Sequence, residues 1–153
     1  MTGALNRHSK LHGNDLADPA GKSFRGQRAF CSNRARRGGC GRTVSIFLHR
    51  VLPRHTLTAA LFWQVLRAML GGASLQSAAQ ALPLAVDTFR GACRRLRGRL
   101  DAVRTALCGA QRPAPSNQAL PLRQTLEHLQ AVFPHSAVPF EDYQSRFQLP
   151  LMG

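Results

Sequence analysis

The sequence predicts a mainly α protein in which a helical domain follows a small β segment. Three observations carry that expectation. From residue 56 onward apolar residues recur at helical spacing, in blocks separated by Gly71-Gly72, by Pro83 and by the Pro-containing stretch 109–119. Residues 1–55 hold seven of the 13 glycines and show little helical periodicity. Short stretches there read as strands instead: Leu5–Leu11, Gln27–Ser32 and Thr43–Leu48. Charge follows the same division. Residues 1–55 carry a net +9 and residues 86–112 a net +5, whereas 56–85 are near neutral and 113–153 slightly acidic.

The composition bounds what such a chain can do. At 153 residues it accommodates one domain, or one small domain with an appendage. A hydrophobic fraction of 44% is that of a folded protein. The longest mainly apolar run, near 57–70, is too short to span a bilayer and is interrupted by Gln64 and Arg67. The N-terminal stretch has no apolar signal core, so a non-secreted, cytoplasmic protein without a membrane partner is expected. The formal net charge is +14, and only Lys10 and Lys22 of the 21 basic residues are lysines. Guanidinium forks match phosphates and guanine edges, so this balance points to nucleic acid. Seven acidic residues leave little material for carboxylate chemistry.

The elements of the helical part can be placed in order. A first helix over 56–70 takes Thr56 or Thr58 as its N-cap, presents Leu57, Leu61 and Val65 on one face, and ends at Gly71-Gly72. A short second helix, 74–82, is capped by Ser74. A third runs from Val86 to about Leu107, with Phe89, Cys93, Leu96, Leu100, Val103 and Leu107 at 4-3-4-3-4 spacing. That seam serves packing within the chain or a homodimer through 86–107. A linker over 109–120 precedes a C-terminal region, 121–153, whose fourth helix starts at Pro121 with Leu122, Leu126, Leu129 and Phe133 inward. PFEDYQSRF makes one more short helix. The expected organisation is therefore a basic segment 1–50, a helical domain 53–108, the linker and the C-terminal region.

Residues 72–100 have the pattern of a helix-turn-helix. The first helix has a small residue, Ala79, at the crossing; Leu82 and Leu84 line the turn; Thr88 and Phe89 begin the second helix. The segment resembles the helix-turn-helix of transposases, resolvases and sigma-factor promoter-reading domains, with Pro83 at the family's Gly position and Ala85 at its Ser position. The outer face of the second helix is dense in arginine. Val86, Asp87, Thr88, Arg90, Gly91 and Arg94 are expected to meet base edges in the major groove. Arg95, Arg97 and Arg99 are expected to hold phosphates.

Cys31 and Cys40 lie in FCSNRARRGGCGRT, on turns rich in Gly, Asn and Arg. The stretch from Leu5 to Thr56, followed by the helix-turn-helix, resembles the N-terminal zinc ribbon of bacterial insertion-sequence (transposase-related) proteins. There a Cys-x-x-Cys knuckle comes first, and a Cys-Gly-Arg-Thr turn like that at Cys40 ends the ribbon. The resemblance covers roughly residues 4–108. It implies zinc on Cys31 and Cys40, double-stranded DNA as partner and a nucleoid location. The family's first knuckle would lie just before Leu5, where this sequence reads Met-Thr-Gly-Ala, so the zinc site is incomplete in this chain. His8 and His12, at ligand-like spacing, are the available substitutes.

Catalysis is not expected. Asp87, Asp101, Glu127, Glu141 and Asp142 cannot form the three-carboxylate, two-metal centre of common transposases, and no phosphate-cradling glycine loop is present. The leading expectation is a non-catalytic, sequence-selective DNA-binding protein related to transposase DNA-binding regions. Its rivals are a stand-alone transcription regulator resembling the sigma-factor promoter-reading domain, and an RNA-binding or helix-mediated interaction protein. One Trp and one Tyr offer little for stacking on single strands.

Overall fold

The structure, a computed structural model, describes residues 4–14, 21–33, 39–53 and 55–152. Two compact units divide at residue 51. The first, up to Val51, contains three strands: β1 (Ala4–Asn14), β2 (Lys22–Ser32) and β3 (Thr43–Phe47). The second, from Leu52, contains six helices: α1 (Ala59–Leu70), α2 (Leu75–Gln80), α3 (Val86–Arg97), α4 (Leu100–Ala110), α5 (Pro121–Val132) and α6 (Pro139–Phe147). A helical unit after a small β segment is therefore the architecture. No described helix is long and apolar enough to cross a membrane.

The strands form an antiparallel sheet in the order β1-β2-β3. All three expected strands are present, and the first two are longer than the apolar pattern suggests. Gly13, Asn14, Lys22 and Ser23, outside the expected strands, extend the β1–β2 ladder, with Asn14 opposite Lys22. Backbone hydrogen bonding carries these positions, since polar side chains on a solvated ribbon cost it little. Two irregularities shift the register, one at His8 and one that leaves Arg25 extra on β2. Beside the second stands Gly26. A Cβ there would sit 2.1 Å from the Ile46 carbonyl oxygen, so only glycine lets β3 approach.

Very little of this sheet is buried. Among its described residues only Gly26, Ala29 and Ser32 are, while Leu5, Phe24, Val44, Ile46 and Phe47 are exposed. Among the described residues, the apolar side chains of the first unit do not gather into a core of their own.

The helical unit holds the core. Thr58, one of the two candidate caps, closes α1 by accepting from the Leu61 N–H at 3.3 Å. Ser74 does the same for α2, from the Ser77 N–H at 3.1 Å. Helix α1 packs against α2, α3 and α6, and α5 packs against α4 and α6. Phe62, Val65 and Leu66 of α1 meet Phe89, Cys93 and Leu96 of α3 within one buried cluster. Phe140 of α6 lies edge-on to Trp63, with ring centroids 5.2 Å apart, and beside Phe62 at 5.7 Å. Past α6, Gln148 adopts a left-handed conformation (φ 53°) that turns the chain back. Leu151 and Met152 are thereby fully buried, with the Leu151 N–H bonded to the Gln144 side chain at 3.2 Å. The end of the C-terminal region is thus part of the core.

The long third helix is two helices. Gly98 caps α3, its N–H reaching the Arg94 carbonyl, and α4 starts at Leu100. The seam remains internal across the break. Phe89, Cys93, Leu96, Val103 and Leu107 are at most 1% exposed and are covered by helices of the same chain. A homodimer through 86–107, one of the two uses expected for this seam, has no exposed apolar stripe to use. The linker also differs from expectation. Helix α4 continues to Ala110, and residues 111–120 are strapped to α5. The buried His128 ring nitrogen Nε2 lies 2.8 Å from the Gln111 carbonyl oxygen. Ser116 donates to Glu127 at 2.6 Å, and Gln124 donates to the Gln118 carbonyl at 2.7 Å. Arg123 of α5 donates to the Met69 carbonyl at 3.1 Å, tying α5 to the end of α1.

Burial pushes the Cys93 thiol above its usual range, with the Arg97 charge opposing the shift weakly. A thiol harder to ionise when folded favours the native state less as pH climbs. Its contribution is complete below about pH 8.5, where the unfolded thiol is still protonated, and declines as pH rises through the thiol range. Urea melts between pH 7 and 10 should therefore show stability falling at the alkaline end. Cys93→Ala should flatten that limb, and an unchanged limb would assign it to other groups.

Candidate nucleic-acid interface

The site is built on α2, the turn 81–85 and α3. Ala79, the one buried residue of α2, is 1% exposed and lets α2 and α3 pack closely. Leu82 and Leu84 are half-buried against the core, and Pro83 between them faces out. The Leu82 N–H bonds to the Ala79 carbonyl at 3.0 Å, closing the turn. Helix α3 begins at Val86 as the pattern predicts. Ala85 stands at its N-cap without a side-chain hydrogen bond, which leaves first-turn N–H groups available to another acceptor.

The two faces of α3 are sharply divided. Phe89, Ala92, Cys93 and Leu96 are buried, while Asp87, Arg90, Arg94, Arg95 and Arg97 are exposed. This follows from spacing: positions 89, 93 and 96 share one side of a helix and 90, 94 and 97 the side next to it. Val86 and Thr88 are half-buried at the start of the helix. Asp87 and Arg90, three residues apart, form an ion pair at the solvent edge. Arg90 is thus not a bare cation; a phosphate or base edge must compete with Asp87 for it. Arg94, Arg95 and Arg97 also lie in the last turn, where the helix dipole favours positive charge.

Gly91 is the second feature of this face. A Cβ at that position would meet nothing within 4 Å. Nothing inside the protein requires a glycine there, so its smallness is open to whatever approaches from outside. Gly98 is the residue at which α3 ends.

Arg99 departs from the expected arginine stripe. The break at Gly98 makes it the N-cap of α4 rather than a fourth turn of α3. It is half-buried, its Nε is enclosed without a hydrogen-bond partner, and its charge partly offsets the burial that raises the Tyr143 phenol. The exposed arginines of α3 are Arg90, Arg94, Arg95 and Arg97.

Cys31 and Cys40 are brought together in the first unit. Gly41, with φ +67°, and Arg42 together oppose Cys31: the Gly41 N–H bonds to the Cys31 carbonyl and the Cys31 N–H to the Arg42 carbonyl, both at 2.9 Å. This is a bulge that needs glycine in its first position. It sets Cys40 diagonally beside Cys31, so that the Cys40 N–H donates to the Cys31 sulfur at 3.3 Å. The Arg42 backbone N–H, then the neighbouring Cys31 side chain, hold the exposed Cys40 thiol below its usual range. The two cysteines fit a soft metal ion as a chelating pair, but they supply two ligands where structural zinc takes four.

His8 and His12 do not complete the set. His12 lies opposite Phe24, its ring edge-on to that phenyl, seven positions along β2 from Cys31, or about 23 Å at 3.3 Å per residue. His8 sits at the bulge between the pairs Arg7–Ala29 and Ser9–Arg28, with its ring nitrogen near the Ser9 hydroxyl. Among the described residues no group of three or more potential ligands is gathered.

One cavity, about 240 Å³, lies between α4, the strapped segment and α5, lined by Arg104, Cys108, Pro113, Ser116, Glu127 and His128 among others. Sequence reasoning had no signal for it, because it depends on the fold-back of residues 111–120. Ser116 with Glu127, and His128 with Gln111, are already engaged with each other. No family model, curated protein or solved structure matches this chain.

Proposed function

We propose that the protein binds double-stranded DNA through α2 and α3 acting as a helix-turn-helix, with α3 in the major groove, and that it performs no catalysis. The observation that carries this reading is the division of α3. One face is anchored in the core by Phe89, Cys93 and Leu96, and the other presents four exposed arginines on a rigid element. A surface that only keeps a protein soluble needs no such concentration, and a catalytic one needs convergent groups that this face lacks. Val86, Asp87, Thr88, Arg90, Gly91 and Arg94 then lie toward base edges, with Arg95 and Arg97 toward phosphates. The relation to transposase DNA-binding regions belongs to the same proposal, on the residue order described above.

Selection of bound duplexes from a random pool, at about 0.15 M salt, is the direct test. An enriched motif of operator length is the expected result. Binding with no enriched sequence, vanishing as salt rises, would reduce α3 to a phosphate clamp and favour the interaction-protein reading. Gly91→Ala separates the two further. In the free protein it should raise stability by up to about 1 kcal/mol, since the position is helical and open. If α3 lies in the groove, the added methyl should weaken specific binding while stability rises. Unchanged affinity would place Gly91 away from DNA.

A further inference from the structure

We infer that the cavity between α4, the segment 111–120 and α5 is a binding site for a free α-amino acid with an uncharged side chain. The inference goes beyond DNA binding and does not rest on it. Three hydrogen bonds build the cavity wall: His128 to the Gln111 carbonyl, Ser116 to Glu127, and Gln124 to the Gln118 carbonyl. They hold the segment 111–120 against α5, so the space is formed before a ligand arrives. At about 240 Å³ it has room for about eight waters, somewhat less than a site for a drug-sized molecule.

The charges on the lining select the ligand. Arg104 and Glu127 both line the cavity, yet their charged atoms stand more than 4.0 Å apart and form no ion pair. Among the described residues the Arg104 guanidinium has neither an ion pair nor a hydrogen bond. Glu127 accepts one hydrogen bond, from Ser116, where a carboxylate can take about four. His128 is only 6% exposed and lines the same space. A carbonyl only accepts, so Nε2 carries the proton of the neutral ring toward Gln111 and Nδ1 remains an acceptor. The cavity therefore offers a guanidinium to an anion, and a carboxylate with a ring nitrogen to a cation. A small molecule bearing both charges satisfies both groups at once, its carboxylate on the planar fork of Arg104 and its ammonium on Glu127 and His128. A peptide end carries one of those charges; a free amino acid carries both. Arg104 and Glu127 are the charged residues of the lining, so a charged ligand side chain would find no further counter-charge, whereas Pro113, Pro115 and Ala131 offer an apolar surface to an uncharged one.

The test is calorimetric titration of the full chain with each uncharged L-amino acid in turn. At least one should saturate at one molecule per chain with a Kd below about 1 mM. Its amide and N-acetyl derivatives, which lack the carboxylate and the ammonium charge respectively, should each bind about tenfold to a hundredfold more weakly. Arg104→Gln should weaken the amino acid by the same factor while leaving the affinity of the amide unchanged. Glu127→Gln should do the same with respect to the N-acetyl derivative. Helical circular dichroism should be retained in both variants. Cys108 gives an independent readout, because its thiol is exposed and lines the cavity. The bound amino acid should slow alkylation of Cys108, followed by peptide mass, and leave that of Cys40 unchanged. No saturable binding by any of these amino acids would overturn the inference. Binding indifferent to both substitutions, or binding that leaves Cys108 alkylation unchanged, would overturn it as well.

Discussion

Phe89→Ala is expected to destabilise the helical unit by about 3–5 kcal/mol, a large part of the 5–15 kcal/mol typical of a whole domain. Phe89 is fully buried where the first turn of α3 meets α1 and α2. Its removal leaves a cavity walled by helices that are themselves held elsewhere: α1 by Phe140 of α6, and the end of α1 by Arg123 of α5. Such walls collapse only partly, so the cost sits in the upper part of the range for large-to-small changes. Urea unfolding followed by circular dichroism measures it. DNA binding should fall in proportion to the folded fraction, because Phe89 touches no ligand in this reading. A loss below 1 kcal/mol would mean that α3 is not anchored through this side chain.

The second large effect is electrostatic. The triple variant Arg94→Ala, Arg95→Ala and Arg97→Ala should leave the fold standing, since all three side chains are exposed. It should lower duplex affinity on the order of a hundredfold at 0.15 M salt. Each lost phosphate contact flattens the slope of log K against log salt by about 0.9, so the loss of Arg95 and Arg97 should flatten it by about 1.8, with Arg94 adding a loss at base edges. The slope is the informative quantity. An affinity loss with an unchanged slope would mean that these arginines act on the fold or on base edges instead. Arg99→Ala makes a useful contrast. Half-buried near Tyr143, it should reduce stability more than it changes the slope.

Much of the helical unit is legible in the sequence because its signals are local. Thr58 and Ser74 cap where the pattern places caps, Gly71 ends α1, and Pro121 and Pro139 open α5 and α6. The break at Gly98 is not legible in the same way. The 4-3-4 apolar spacing runs through it undisturbed, because a two-residue interruption leaves both halves facing the same core. Arg99 falls outside α3 for that reason. The burial of Leu151 and Met152 depends on a left-handed Gln148, a conformation that sequence does not announce at a glutamine. At the cysteine pair, the Gly-Arg following Cys40 signals a turn. The distances from His8 and His12 follow from strand register, which a polar, glycine-containing ribbon encodes only weakly.

The crowding of charge on α3 has a thermodynamic consequence. Arg90 and Arg94 stand four apart on the same helix, Arg94 and Arg97 three apart, and like charges at those spacings disfavour a helix by a few tenths of a kcal/mol per pair. The free protein therefore carries a small electrostatic strain in the element that we propose meets DNA. Ions that screen this strain steady the free helix and, on the proposed reading, loosen its grip on a duplex. A bound polyanion relieves it too, so complex formation should raise the melting temperature by more than contacts alone supply. Stability and affinity thus respond to salt with opposite signs.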